Sequence, residues 1–132
     1  MDDFEYLKEC VSNWQDLPLS KLSRKQQAVV DVVSAIGVIE GDGVVCLWSE
    51  CGDSMDRIIK SFRMAGANEI ADLLQGTSFC RDIITRTVPD ANEWAYTSPE
   101  EEKKLREVLV FVSKKGPDAR EGLFGFLPKP RS

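Results

Sequence analysis

Apolar positions recur along this chain with the period of an α-helix. Phe4, Leu7, Val11 and Trp14 fall on one helical face. Val29, Val32, Val33 and Ile36 follow the i, i+3, i+4, i+7 pattern, as do Met55, Ile58, Ile59 and Phe62, and Leu105, Val108, Leu109 and Val112. Such stripes predict amphipathic helices that bury one side in a common core.

The breaks between the stripes carry helix start and stop chemistry. Ser23 followed by Gln26 predicts a capping box at the head of the second helix. Asp53 or Ser54 is placed to cap the Met55–Phe62 stripe, and Gly66 to end it in a left-handed turn. Asn68 is placed to cap a short helix through Ile70, Ala71, Leu73 and Leu74, with Gly76 at its end. Ser98-Pro99-Glu100-Glu101 offers a capping hydroxyl, a proline at the first helical position and acids in the first turn. Lys114 and Lys115 suit the far end of that helix, and Gly116-Pro117 is expected to stop it. Pro89, Asp90 and Asn92 predict a loop from Thr87 to Thr97.

One segment reads two ways. From Val38 to Trp48, Gly41-Asp42-Gly43 separates two β-branched runs, a pattern that fits a short β-hairpin. It also fits a helix ending near Ile39, a glycine turn and a buried helix from Val44. A lone two-stranded hairpin is marginal and every other segment is helical, so the helical reading is preferred. The expectation is an all-α, compact bundle of six or seven helices. A chain of 132 residues holds one such domain, over residues 1–121, followed by an irregular tail over 122–132. Leu123, Phe124, Phe126 and Leu127 in that tail predict a strap over the core; a partner-binding tail is the alternative.

Composition removes several functions. The chain has no histidine, so Ser-His and Cys-His nucleophiles and His-ligated metals are excluded. A net charge of −5 argues against a protein that coats nucleic acid. No apolar run approaches the ~20 residues that cross a bilayer, and Met1-Asp2-Asp3-Phe4-Glu5 is acidic where an export signal is basic. A cytoplasmic protein without a membrane partner is expected. In that compartment Cys10, Cys46, Cys51 and Cys80 are expected as free thiols. Cys46 and Cys51 lack the C-x-x-C spacing of zinc and redox motifs, and Cys46 sits in an apolar run that suits the core.

Charge is unevenly spread. Gln26 to Asp56 holds six acids (Asp31, Glu40, Asp42, Glu50, Asp53, Asp56) and no base, whereas Lys103 to Ser132 holds eight bases and three acids. Such a face can simply stay wet, or it can steer a basic partner. The basic third could meet the acidic stretch within one molecule or in a homodimer, and the sequence leaves both open.

Candidate chemistry in the acidic stretch is sparse. Glu40, Asp42 and Gly43 match part of a calcium loop, but Val38 and Ser49 stand where its first and last carboxylates belong. Glu40 with Asp42, or Glu50 with Asp53, could serve as an acid–base pair if burial separated their roles. Cys51 precedes a helix start, but no histidine is there to act as its base and Asp53 and Asp56 oppose a thiolate. No phosphate-loop glycine pattern is present. Trp48, beside Ser49-Glu50, is either a core aromatic or an interface anchor.

Residues 22–75 carry a wider pattern. Ser23-Arg24-Lys25-Gln26-Gln27 opens the Val29–Ile36 helix, Glu40-Gly41-Asp42-Gly43 leads into a short helix with Trp48, and Met64-Ala65-Gly66-Ala67-Asn68-Glu69-Ile70-Ala71-Asp72-Leu73-Leu74 follows. This arrangement resembles the bacterial DNA-mimic-type domain family, an all-helical group. Two features depart from that family's pattern. Gly41 or Asp42 replaces the turn asparagine, and Val44, Val45 and Leu47 replace most of the glutamine and aromatic positions after it. The resemblance implies an all-α domain without catalytic activity whose carboxylates stand in for DNA phosphates. Magnitude narrows that expectation. One face of a duplex about 35 Å long shows ~10 phosphates, so six acids copy a short track at best.

The leading expectation is a non-enzymatic, acidic protein-binding module without cofactor or metal. Its partner-binding residues would be Glu40, Asp42, Trp48, Glu50, Asp53 and Asp56, and its partner a basic protein, in the specific case a DNA-binding regulator. An immunity protein against a basic toxin is the second reading. A carboxylate- or metal-dependent enzyme using Glu40, Asp42, Glu50 and Asp53 is the third.

Overall fold

The capping box expected at Ser23 is formed, and it starts the helix around which the others pack. Ser23 accepts from the Gln26 amide at 3.1 Å, and the Gln26 side chain accepts from the Ser23 amide at 2.8 Å. The computed structural model describes residues 2–86 and 98–129, with Arg86 described by its backbone alone. Seven α-helices follow in order among these residues: α1 (Asp3–Trp14), α2 (Arg24–Asp42), α3 (Val44–Cys51), α4 (Met55–Met64), α5 (Asn68–Gln75), α6 (Cys80–Arg86) and α7 (Pro99–Glu121). No strand occurs among the described residues, so the fold is an all-α bundle. The loop expected over Thr87–Thr97 lies outside them.

Helix α2 is the axis. It packs against α1, α3, α4 and α7, while α5 bridges α4 and α7 and α6 lies on α3. Its buried stripe of Ala28, Val29, Val32, Ala35, Ile36 and Ile39 meets Phe62 and Met55 of α4, Leu47 of α3 and Val108 and Val112 of α7 in one core. No helix among the described residues is long and apolar enough to cross a membrane.

The hairpin alternative near 38–48 is overturned, and so is the early end of α2. The helix runs through Glu40 and Gly41 to Asp42, and a single residue, Gly43 at φ 95°, separates it from α3. Burial of Ile36 and Ile39 on one side and Val44, Val45 and Leu47 on the other outweighs the local preference for strand. The Gly116-Pro117 stop is also corrected. Helix α7 carries Pro117 in its interior and ends at Glu121. The missing proline amide costs one backbone hydrogen bond, offset by burial of Ala119 and Leu123 beyond it. Gly116 is itself buried against Ile36 of α2.

Smaller corrections concern caps. Neither Asp53 nor Ser54 caps α4 through its side chain; Gly52–Ser54 forms a 3₁₀ turn that leads into it. Asn68 is the first residue of α5, with Ala67 in the capping place and no side-chain cap. The box at Ser98 and Glu101 and the left-handed Gly66 at φ 81° stand as expected. The tail passes Gly122, buries Leu123 completely and makes a 3₁₀ turn over Phe124–Phe126. Phe124 meets Phe4 edge-on at 5.0 Å, and the Tyr6 hydroxyl donates to the Pro128 carbonyl at 2.6 Å. These contacts strap α1 to the end of α7.

Candidate partner-binding surface

The six acids of the Gln26–Asp56 stretch do not share one environment. Asp31 lies on the buried side of α2, 7% exposed. Its carboxylate accepts from Arg57 Nε and Nη2 of α4, both at 3.0 Å, and from the Ser61 hydroxyl at 2.9 Å. Arg24 donates to the same Ser61 oxygen at 3.1 Å and to the Arg57 carbonyl at 3.4 Å. The carboxylate raises the Arg57 pKa above its ordinary value, chiefly through these hydrogen bonds. Asp31 is therefore occupied in tying α2 to α4 and offers nothing to a partner.

The other five acids are exposed. Glu40 and Asp42 stand in the last turn of α2, Glu50 near the end of α3, Asp53 in the 3₁₀ turn and Asp56 in the first turn of α4. None has an ion pair within 4.0 Å among the described residues. Along the chain they fall on either side of α3, with Glu40 and Asp42 before it and Glu50, Asp53 and Asp56 at its end and beyond. Glu40 also leans towards α7, its carboxylate lying beside Gly116. By position in the chain they form a pair and a triad of exposed carboxylates.

Trp48 belongs to the core side of this surface. It is 4% exposed, its indole N–H donates to the Thr77 hydroxyl at 3.0 Å, and that hydroxyl donates to the Leu74 carbonyl at 2.7 Å. The Arg81 guanidinium covers its ring at 5.0 Å. Its edge still lines a shallow notch with Ser49, Gly52, Asp53, Arg81 and Ile84. The structure thus brings Trp48 and Asp53 together but buries the aromatic as packing.

Acid–base chemistry relies on a carboxylate taken out of water, and Glu40, Asp42, Glu50 and Asp53 are all exposed. Among the described residues no three Cys, Asp or Glu side chains converge as a metal site. All four cysteines are free thiols, with Cys10 and Cys80 buried and Cys46 and Cys51 half-buried, so Cys46 is less enclosed than its apolar run suggested. Burial raises the Cys10 and Cys51 thiols and pushes Cys80 up to about 12.

These thiols give a direct check. Ellman's reagent at neutral pH is expected to label Cys46 and Cys51 in the folded protein and to reach Cys10 and Cys80 after denaturation alone. Cys80 also sets an alkaline limit. The unfolded thiol loses its proton near pH 9.0 while the folded one keeps it to about 12. The folded state then binds more protons, so stability falls with rising pH across that window, at about 1.4 kcal/mol per pH unit. Urea midpoints of the wild type and Cys80→Ala are expected to converge between pH 8 and pH 10 (about one unit above the free thiol). A constant gap would show that the thiol titrates normally.

Two features escaped the sequence reading. The Asp31 network was hidden because Asp31 was counted with the surface acids. Its place among Ala28, Val32 and Ala35 on the apolar stripe, with Arg57 and Ser61 spaced i, i+4 on α4, was the available signal. The second is a groove between α5 and α7, floored by Leu73, Val110 and Phe111 and edged by Lys103, Arg106 and Lys114. Compared with known proteins, the chain matches no family model, no curated protein and no solved structure.

Proposed function

We propose that this chain is a non-enzymatic binding module that presents its exposed carboxylates to a basic surface on another protein. The observation that supports this most is the state of Glu50, Asp53 and Asp56. All three are exposed, lie within seven residues of one another, and make no ion pair among the described residues. Self-repulsion within such a triad is relieved by an incoming cation, which gives a basic partner both steering and affinity. Glu40 and Asp42 form a second contact point at the other end of α3.

The partner's basic patch is small in this reading. Five exposed carboxylates in two groups match a short run of phosphates, not a duplex face. A DNA-binding regulator gripped at part of its basic surface is the specific form of the proposal. The charge-reversal variant Asp42→Lys, Glu50→Lys, Asp53→Lys tests it. Binding of the captured partner is expected to weaken by at least tenfold, equivalent to about 1.4 kcal/mol, with a flatter salt dependence. Unchanged affinity and salt slope would refute the reading.

A further inference from the structure

Among the described residues, helix α7 is partnered along its inner face. Val108, Val112 and Ala119 are buried against the bundle, but Val110 is 61% exposed and Leu109 37% exposed. Val110 lies in the groove between α5 and α7, which encloses about 580 Å³. Lys103, Arg106, Val110 and Lys114 recur at i, i+3, i+7 and i+11, so they form one stripe about 16 Å long. Lys103, Arg106 and Lys114 make no ion pair among the described residues, and Glu107 is the one acid lining the groove.

A groove lined by three unpaired cations and an exposed apolar side chain asks for an acidic partner. The chain itself carries that complement. Glu50, Asp53 and Asp56 are three carboxylates without an ion pair among the described residues, and Asp53 lines the notch with Trp48, Ile84 and Arg81, whose guanidinium is occupied on the Trp48 ring. Among the described residues the notch and the α7 groove share no residue, and no ion pair joins the two faces within one molecule. Three cations on one face therefore meet three carboxylates on another only between molecules.

We propose that the α5–α7 groove of one copy docks on the acidic α3–α4 face of a second copy. The contact is head-to-tail, with Lys103, Arg106 and Lys114 along the groove pairing with Glu50, Asp53 and Asp56. Because the two faces differ, each docked copy leaves one of each kind free, and association continues beyond a dimer as an open chain or a closed ring. The proposal rests on the acidic face being a protein contact, as in the preceding reading, and names one occupant for it.

Sedimentation velocity on the full chain tests it. At about 20 mM salt the weight-average mass is expected to rise with concentration to at least about twofold that of a monomer, and to return to monomer at about 0.5 M salt. Two neutralised variants separate the faces: Glu50→Gln, Asp53→Asn, Asp56→Asn, and Lys103→Gln, Arg106→Gln, Lys114→Gln. All six positions are exposed, and circular dichroism confirms that each variant is folded. Each variant alone is expected to be monomeric. An equimolar mixture retains one groove and one acidic face in a complementary pair, and is expected to stop at a 1:1 dimer. A wild type that stays monomeric at low salt, association that survives either neutralisation, or a mixture that fails to pair overturns the proposal. The α7 variant also separates the two readings, since it abolishes self-association and leaves capture of a foreign basic protein intact.

Discussion

Asp31→Ala is expected to destabilise the fold by about 3 kcal/mol, with a fall of about 10 °C in Tm. The carboxylate sits 7% exposed between α2 and α4 and accepts from Arg57 twice and from Ser61 once. Removing it leaves the fully buried Ser61 hydroxyl the Arg57 carbonyl, at 3.0 Å, as its acceptor, and takes the paired carboxylate away from Arg57. Breaking a buried pair costs about 3–5 kcal/mol, and Arg57 at 30% exposure recovers some hydration, which sets the lower end. The double variant Asp31→Leu, Arg57→Met replaces the pair with packing and is expected to recover most of the loss. Urea denaturation of the three proteins decides it. A change below about 0.5 kcal/mol in Asp31→Ala would mean that the network is solvated.

Gly122→Ala is expected to cost a similar amount, about 3 kcal/mol, at the upper end for overpacking. The backbone of Gly122 has an ordinary φ of −60°, so conformational freedom is not the reason for glycine. Space is the reason. A β-carbon there would sit 2.1 Å from the Ala65 carbonyl oxygen and 3.2 Å from its carbon. Both atoms are backbone at the turn between α4 and α5, so neither can rotate away as a side chain would. The chain must either open that turn or lift Gly122, and lifting it pulls Leu123 out of the core, where it is 0% exposed. Gly125→Ala is the control, since no atom lies within 4 Å of its β-position, and a change within about 0.5 kcal/mol is expected. Equal effects at the two glycines would show that the tail is not anchored through Gly122.

Helical periodicity made most of this fold legible. The stripes at 29–36, 55–62 and 105–112 and the boxes at Ser23 and Ser98 depend on local geometry, and local geometry is written in consecutive residues. The errors lie where distant packing overrides local preference. Gly41 and Pro117 are poor helix residues, yet both are helical because Ile39 and Ala119 have core partners far away in sequence. The acidic stretch was legible in composition, but not the burial of Asp31 within it. Only the three-dimensional fold shows that Asp31 faces Arg57 and that Trp48 is spent on Thr77. The groove on α7 was missed for a related reason. Lys103, Arg106 and Lys114 read as a solvated helix face until α5 supplies Leu73 as its second wall.

The central claim is that the exposed carboxylates are a binding surface for a basic protein. Affinity capture from lysate at low salt, eluted by a salt step and read by mass spectrometry, tests it most directly. Wild-type chain and the Asp42→Lys, Glu50→Lys, Asp53→Lys variant serve as parallel baits. The account predicts one basic protein in the wild-type salt eluate and its loss from the variant. An empty wild-type eluate from a folded, abundant bait, or equal recovery on both baits, would contradict it.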